Sequence, residues 1–180
     1  MHRAAVAILL AGCPLPDEPD EKADDTGAEA DSAADTAGPV LLAVNEFLAD
    51  NTSFNADETG EFGEWIELWN GGDADLVLDG YSLSDDVETP GDPLRGGLVV
   101  PAGGWLVLWA DARPEVGPDH LAFDLDAGGG QIGLFYPGGD HLDAIEYGAC
   151  PPDLAAARVP DGSLDWRAAV TPTPGESNGG

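Results

Sequence analysis

From Pro39 onward, short apolar runs alternate with clusters of glycine, proline, aspartate and asparagine. This texture predicts strands joined by turns. The strand candidates are Val40 to Ala49, Glu64 to Asn70, Asp75 to Leu78, Tyr81 to Ser84, Gly97 to Val100, Trp105 to Ala110, Leu121 to Leu125, Gln131 to Tyr136 and His141 to Tyr147. Turn clusters such as "NGGD", "PAGG", "DAGGG" and "YPGGD" separate them. No sustained helical stripe with caps is present, and "PDLAAARV" is the one weak helical candidate. Many short strands with regular turn signals indicate an all-β sandwich or barrel. The closing "TPTPGESNGG" predicts an extended, exposed tail.

Alternation of side chains assigns faces within these strands. In "EWIELWN", Ile66 and Leu68 mark the core face, and Trp65, Glu67 and Trp69 share the other. In "VLLAVNEFLA", strict alternation puts Leu42, Val44, Glu46 and Leu48 on one face and Leu41, Ala43, Asn45 and Phe47 on the other. Glu46 is then a carboxylate on an apolar face. Such a group needs hydrogen bonds, a cation or a proton.

The first 38 residues are of a different kind. "MHRAAVAILLAGC" has a short basic start, an apolar run and small residues, the features of a secretory signal. Its "LAGC" ending resembles the bacterial lipobox. That resemblance makes residues 1–12 a signal peptide and Cys13 the lipidated first mature residue; the alternative is a buried apolar N-terminal segment. Residues 13–38 then form an acidic tether, because nine acids, one lysine and no aromatic residue cannot sustain a core. Residues 39–178 form the folded domain. The whole chain carries a net charge of -29, with 6 Lys+Arg against 35 Asp+Glu. That argues against nucleic acid and against a polybasic membrane grip, and it favours cations as partners. Only one other cysteine exists, Cys150, whose readings are a small buried hydrophobe, a thiol or an intermolecular link.

The segments "VNEFLADN" (Val44 to Asn51), "DETGEFGEWIELWNGGDADLVLDGYSLSDD" (Asp57 to Asp86), "PAGGWLVLWAD" (Pro101 to Asp111) and "IGLFYPGGDHLDAIEYG" (Ile132 to Gly148), followed by "RVPDGSLDW" and "TPTPGESN", resemble in their order the bacterial lamin tail domain. The resemblance covers about residues 40 to 178. It implies an immunoglobulin-like antiparallel β-sandwich with no established catalytic residues of its own. In bacteria this module often accompanies hydrolases, and no hydrolase module is recognised along these 180 residues.

The candidate chemistry is limited. In "DETGEFGE", Asp57, Thr59, Glu61 and Glu64 offer oxygens around Gly60, and calcium takes six to eight oxygens, often from a Gly-containing loop. Some bacterial members of the resembled family carry calcium-type Asp-x-Asp-Gly loops at this point. Thr59 stands where a second acid would be, and the full EF-hand pattern is missing. The loop is thus either a calcium site or a solvated acidic turn. Zinc is disfavoured, because His2, His120 and His141 form no HxH or HExxH pair. Glu46 and Glu67 are a conceivable glycosidase-type carboxylate pair, but are better explained as hydrogen-bonded strand residues. No GxSxG motif or phosphate loop is present. Trp65 and Trp69 are either a stacking surface for a ligand or core filling.

These observations point to a non-catalytic, lipid-anchored protein of the cell envelope, at the outer membrane and either periplasmic or surface-exposed. Its domain would bind, adhere or scaffold, with calcium as the candidate cofactor. Its partner would be an envelope or extracellular protein or glycan; nucleic acid is excluded. The alternative is an accessory surface module that helps a separate secreted hydrolase engage its substrate. A stand-alone enzyme ranks behind both.

Overall fold

The computed structural model describes residues 41–179 and the two-residue strand β1 (Val6–Ala7). Cys13 and the acidic stretch 13–38 lie outside the described residues. Ten further strands follow: β2 (Leu42–Leu48), β3 (Trp65–Asn70), β4 (Leu76–Val77), β5 (Ser82–Ser84), β6 (Val99–Val100), β7 (Trp105–Trp109), β8 (Gly129–Phe135), β9 (His141–Gly148), β10 (Ala155–Arg158) and β11 (Trp166–Val170). No helix occurs among the described residues. One sheet has the order β11-β10-β2-β3-β7, antiparallel throughout. The second has the order β1-β9-β8-β5, in which β1 runs parallel to β9. A small ribbon, β4-β6, accompanies them. Apart from the parallel β1, which falls within the expected signal peptide (residues 1–12), they form the expected antiparallel β-sandwich.

The core between the sheets draws Val44, Phe47, Ile66 and Leu68 from one side and Leu134 and Ile145 from the other. Each of these side chains is buried, and a fully buried residue of this size contributes about 1.5–3 kcal/mol. Phe47 also packs at a tilt on Tyr147, with ring centroids 4.8 Å apart.

The outer face of the five-stranded sheet is buried as well. Leu48, Trp65, Trp109 and Ala155 make a second apolar cluster there. This explains why β3 is buried at nearly every position.

Four expectations are corrected. First, β2 does not alternate strictly. The pairing of β2 with β3 shifts between Val44 and Glu46, a bulge at Asn45. A bulge adds one residue and reverses the facing of all that follow. Leu42 and Val44 therefore face the core together with Phe47 and Ala49, and Glu46 and Leu48 face outward.

Second, "PDLAAARV" is strand β10 rather than helix. Its three alanines are buried between β2 and β11, so tertiary packing overrides alanine's helical preference. Third, Leu121 to Leu125 forms no strand. It contributes buried Leu121 and Leu125 and makes only isolated bridges, such as Asp111 with Asp124. Fourth, the tail is not exposed throughout. Pro172 is buried, Thr173, Pro174 and Asn178 are half-buried, and the segment is bonded to the outer face of the sheet.

Candidate functional site

The bulge in β2 brings Asn45 and Glu46 alongside Glu67 of β3. Glu46 lies directly across from Glu67 of β3, and both are fully buried. Two buried carboxylates side by side repel one another and resist ionisation. Their bonding partners come from the tail. Thr173 donates its N–H (3.0 Å) and its hydroxyl (3.0 Å) to Glu46. Gly175 N–H donates to Glu67 at 2.6 Å, and the Asn45 amide donates to Glu67 at 3.1 Å. Asp161 closes the group, accepting from Asn45 (2.9 Å), Ser177 (2.5 Å) and Asn178 (3.1 Å). Burial, only partly offset by Thr173, pushes the Glu46 carboxyl up to about 7. Burial, reinforced by the charges of Glu46 and Asp161, pushes Glu67 up to about 8.

Val44, paired with Leu68 just before the bulge, lies beyond the Phe47 and Glu46 positions where β10 pairs with β2. An ion pair bonds its amide and carbonyl instead. Val44 N–H donates to Asp143 of β9 at 3.0 Å, and Arg158 Nε donates to Val44 carbonyl at 2.7 Å. Arg158 Nη2 then bonds both Asp143 oxygens, at 3.0 and 2.9 Å. Arg158 lies 4.8 Å from the centroid of the Trp166 ring, a cation–π contact. Sheet to sheet, the molecule is riveted here.

A second polar centre lies in the loops beside β7. Gly60, at φ 88°, allows the Asp57–Glu61 turn to close. Asp57 Oδ1 accepts from Thr59 N–H (2.8 Å), Thr59 hydroxyl (2.7 Å) and Glu61 N–H (2.9 Å). Arg113 reaches Asp57 Oδ2 at 3.3 Å and Thr59 hydroxyl at 3.1 Å. Burial acts to raise the Asp57 carboxyl, but these bonds and the Arg113 charge hold it below the usual range. Next to it, His120 is buried, with Nδ1 at 2.8 Å from Asp111 and Nε2 at 3.3 and 3.4 Å from the two oxygens of Glu58. Burial lowers the His120 pKa, but the two acids outweigh it and raise the net value.

A third feature is an acidic cleft of about 430 Å³ at one end of the sandwich. It opens where β2 ends, β3 begins, β8 begins and β9 ends. Five acids line it: Asp50, Glu64, Asp85, Asp124 and Asp126. Burial, and then the charges of Asp124, Asp50 and Asp111, push the Glu64 carboxyl upward.

The residues singled out in the sequence are thus dispersed. Asp57 and Thr59 hold Arg113, so a guanidinium stands where a calcium ion was expected. Glu61 is exposed, and Glu64 belongs to the acidic cleft. The four do not gather into one ligand set. Trp65 is fully buried and donates its indole N–H to Asn55 Oδ1 at 2.9 Å, so it offers no open stacking face. Trp69 is half-buried, and its ring packs so closely on Gly71 and Gly162 that a Cβ at either would overlap it. Cys150 is half-buried against the core, its thiol 3.5 Å from the Gly148 carbonyl.

Two groupings escaped the sequence reading, and the third was named there only as a conceivable pair. The Glu46–Glu67 pair had a signal, since each acid interrupts an apolar strand and adjacent strands bring them together. The cleft acids come from four separate loops and strand ends, with no common motif. The His120 cluster joins residues 58, 111, 119 and 120, of which only Asp119 and His120 are neighbours in sequence.

No curated protein and no solved structure matches the chain. The family model of the lamin tail domain does, over residues 36–149. That interval contains β2 through β9 but ends before β10, β11 and the tail. With that match and the sandwich it encloses, the chain belongs to the lamin tail domain family.

Proposed function

We propose that this protein is a non-catalytic binding module of the cell envelope, tethered by a lipid on Cys13, whose acidic cleft takes calcium and through it a protein or glycan partner. The observation that carries the reading is the cleft itself. Glu64, Asp124 and their neighbours present several carboxylates to one open space, and their mutual repulsion favours a bound cation. By contrast, Glu46, Glu67, Asp57 and Asp143 are bonded to the protein's own amides and guanidinium groups. They serve the fold.

The test uses immobilised full chain exposed to envelope extract, in calcium and then in chelator. The expected result is a retained fraction that chelator elutes and that Glu64→Gln with Asp124→Asn fails to retain. Retention that persists in chelator and in the variant would overturn the cleft reading.

A further inference from the structure

We infer that His120, Glu58 and Asp119 form a binding site for a zinc-type divalent ion, with Asp111 holding the imidazole in place. The site uses none of the carboxylates that line the acidic cleft.

His120 is the fixed element of the site. Its side chain is fully buried, and its two nitrogens have different surroundings. Nδ1 sits 2.8 Å from Asp111 Oδ2, an ordinary hydrogen bond to a carboxylate that is itself almost buried. That bond places a proton on Nδ1 and turns the lone pair of Nε2 outward, as in metal-binding histidines backed by a carboxylate. Nε2 faces the half-exposed carboxylate of Glu58 at 3.3 and 3.4 Å. Those separations exceed the 2.7–2.9 Å or so of a charge-assisted hydrogen bond. They equal the spacing of two ligands on one zinc: bonds of about 2.0–2.1 Å at the tetrahedral angle put the donor atoms about 3.3–3.4 Å apart. Asp119 completes the set, since one oxygen each from Glu58 and Asp119 lies with a His120 nitrogen within 4.8 Å of one another.

Two neighbouring features support the assignment. Gly117 has no side chain where one would intrude. A Cβ there would lie 2.7 Å from Asp119 Oδ1, 3.5 Å from His120 Cδ2 and 3.7 Å from Glu58 Oε1. Its φ is not in the left-handed region, so the backbone does not itself require glycine. The other feature is Arg113, which ties up Asp57 at 3.3 Å and lies 3.9 Å from Asp111. It neutralises the inner acids and leaves Glu58 and Asp119 for the ion. One imidazole and two carboxylates suit zinc or a neighbouring first-row metal, whereas calcium takes oxygen alone.

The experiment titrates the purified, metal-stripped full chain with zinc chloride by calorimetry, and with cobalt(II) by visible absorption. Wild type is expected to take up one ion per chain. Glu58→Gln and Asp119→Asn, at partly exposed positions, are expected to weaken uptake at least 10-fold, about the loss seen for single metal-site contacts. Their melting temperatures without metal are expected to match wild type. The cobalt complex is expected to show nitrogen–oxygen ligand-field bands without a thiolate charge-transfer band. Absence of saturable uptake would overturn the site and leave His120 in an ion pair only. Uptake unchanged in both variants, or a thiolate band, would overturn it by placing the metal elsewhere.

Discussion

Glu46 and Glu67 face each other from adjacent strands, and the partners they bond are amides and a hydroxyl rather than cations. Their pKa values of about 7 and about 8 stand above the value of about 4.3 for an unfolded glutamate. The folded protein therefore holds extra protons between these limits. The stability they contribute is complete below about pH 4.3 and is lost as pH rises through about 7 to 8. Each extra proton makes the loss about 1.4 kcal/mol per pH unit. Asp57 and Asp161 act in the opposite direction, since both are held below the usual carboxylate range despite burial. Their contribution disappears as pH falls through their folded-state values. Urea unfolding at a series of pH values is thus expected to peak in mild acid and decline toward pH 8 or so. Glu67→Gln should flatten the alkaline decline, because glutamine cannot titrate. An unchanged slope in that variant would refute the proton assignment.

The bulged strand β2 depends on a neighbour from each sheet. Asp143 and Arg158 satisfy the Val44 amide and carbonyl and each other. Removing one partner leaves a buried charge alone, at a cost of about 3–5 kcal/mol. Asp143→Ala and Arg158→Ala should each lose that much in chemical denaturation, while the double variant should lose less than the sum. The tail is the second dependent element. Deleting residues 171–180 removes the Thr173 and Gly175 donors from two buried carboxylates. Unsatisfied buried groups cost about 1–3 kcal/mol each. The truncated chain is therefore expected to unfold several kcal/mol earlier, and Glu46→Gln with Glu67→Gln should restore part of the loss.

These same elements show what a sequence can reveal. The two faces of β3 followed from alternation, because no irregularity interrupts it. The faces of β2 did not, because one inserted residue at Asn45 reverses every later position. Strand β10 was hidden by three alanines, whose local preference is helical and whose burial is decided by distant partners. The tail looked like solvent-exposed chain for the same reason. Its role is to donate backbone amides, and an amide has no letter in the sequence.

At the scale of the whole molecule, charge dominates. Two of the six basic residues, Arg113 and Arg158, are consumed inside the fold by Asp57 and Asp143. The surface is left strongly anionic, and self-repulsion opposes the compact state. Added salt should raise the melting temperature at low ionic strength, because screening shortens the reach of that repulsion. A melting temperature independent of salt would contradict this. The candidate chemistry was least legible at this scale. The acidic loop that looked like a cation site is closed by an arginine 54 residues or more away in sequence. The open cleft is assembled from segments that share no motif.

The cleft is the site proposed for the module's binding, and calcium is its most direct probe. Isothermal titration of the full chain with calcium chloride should show saturable binding with a dissociation constant of about 0.1–1 mM, the range of extracellular modules. Binding should disappear in Glu64→Gln with Asp124→Asn and persist in Glu58→Gln, which touches only the His120 cluster. Heat of dilution alone in the wild type, or full binding in the cleft variant, would contradict the account.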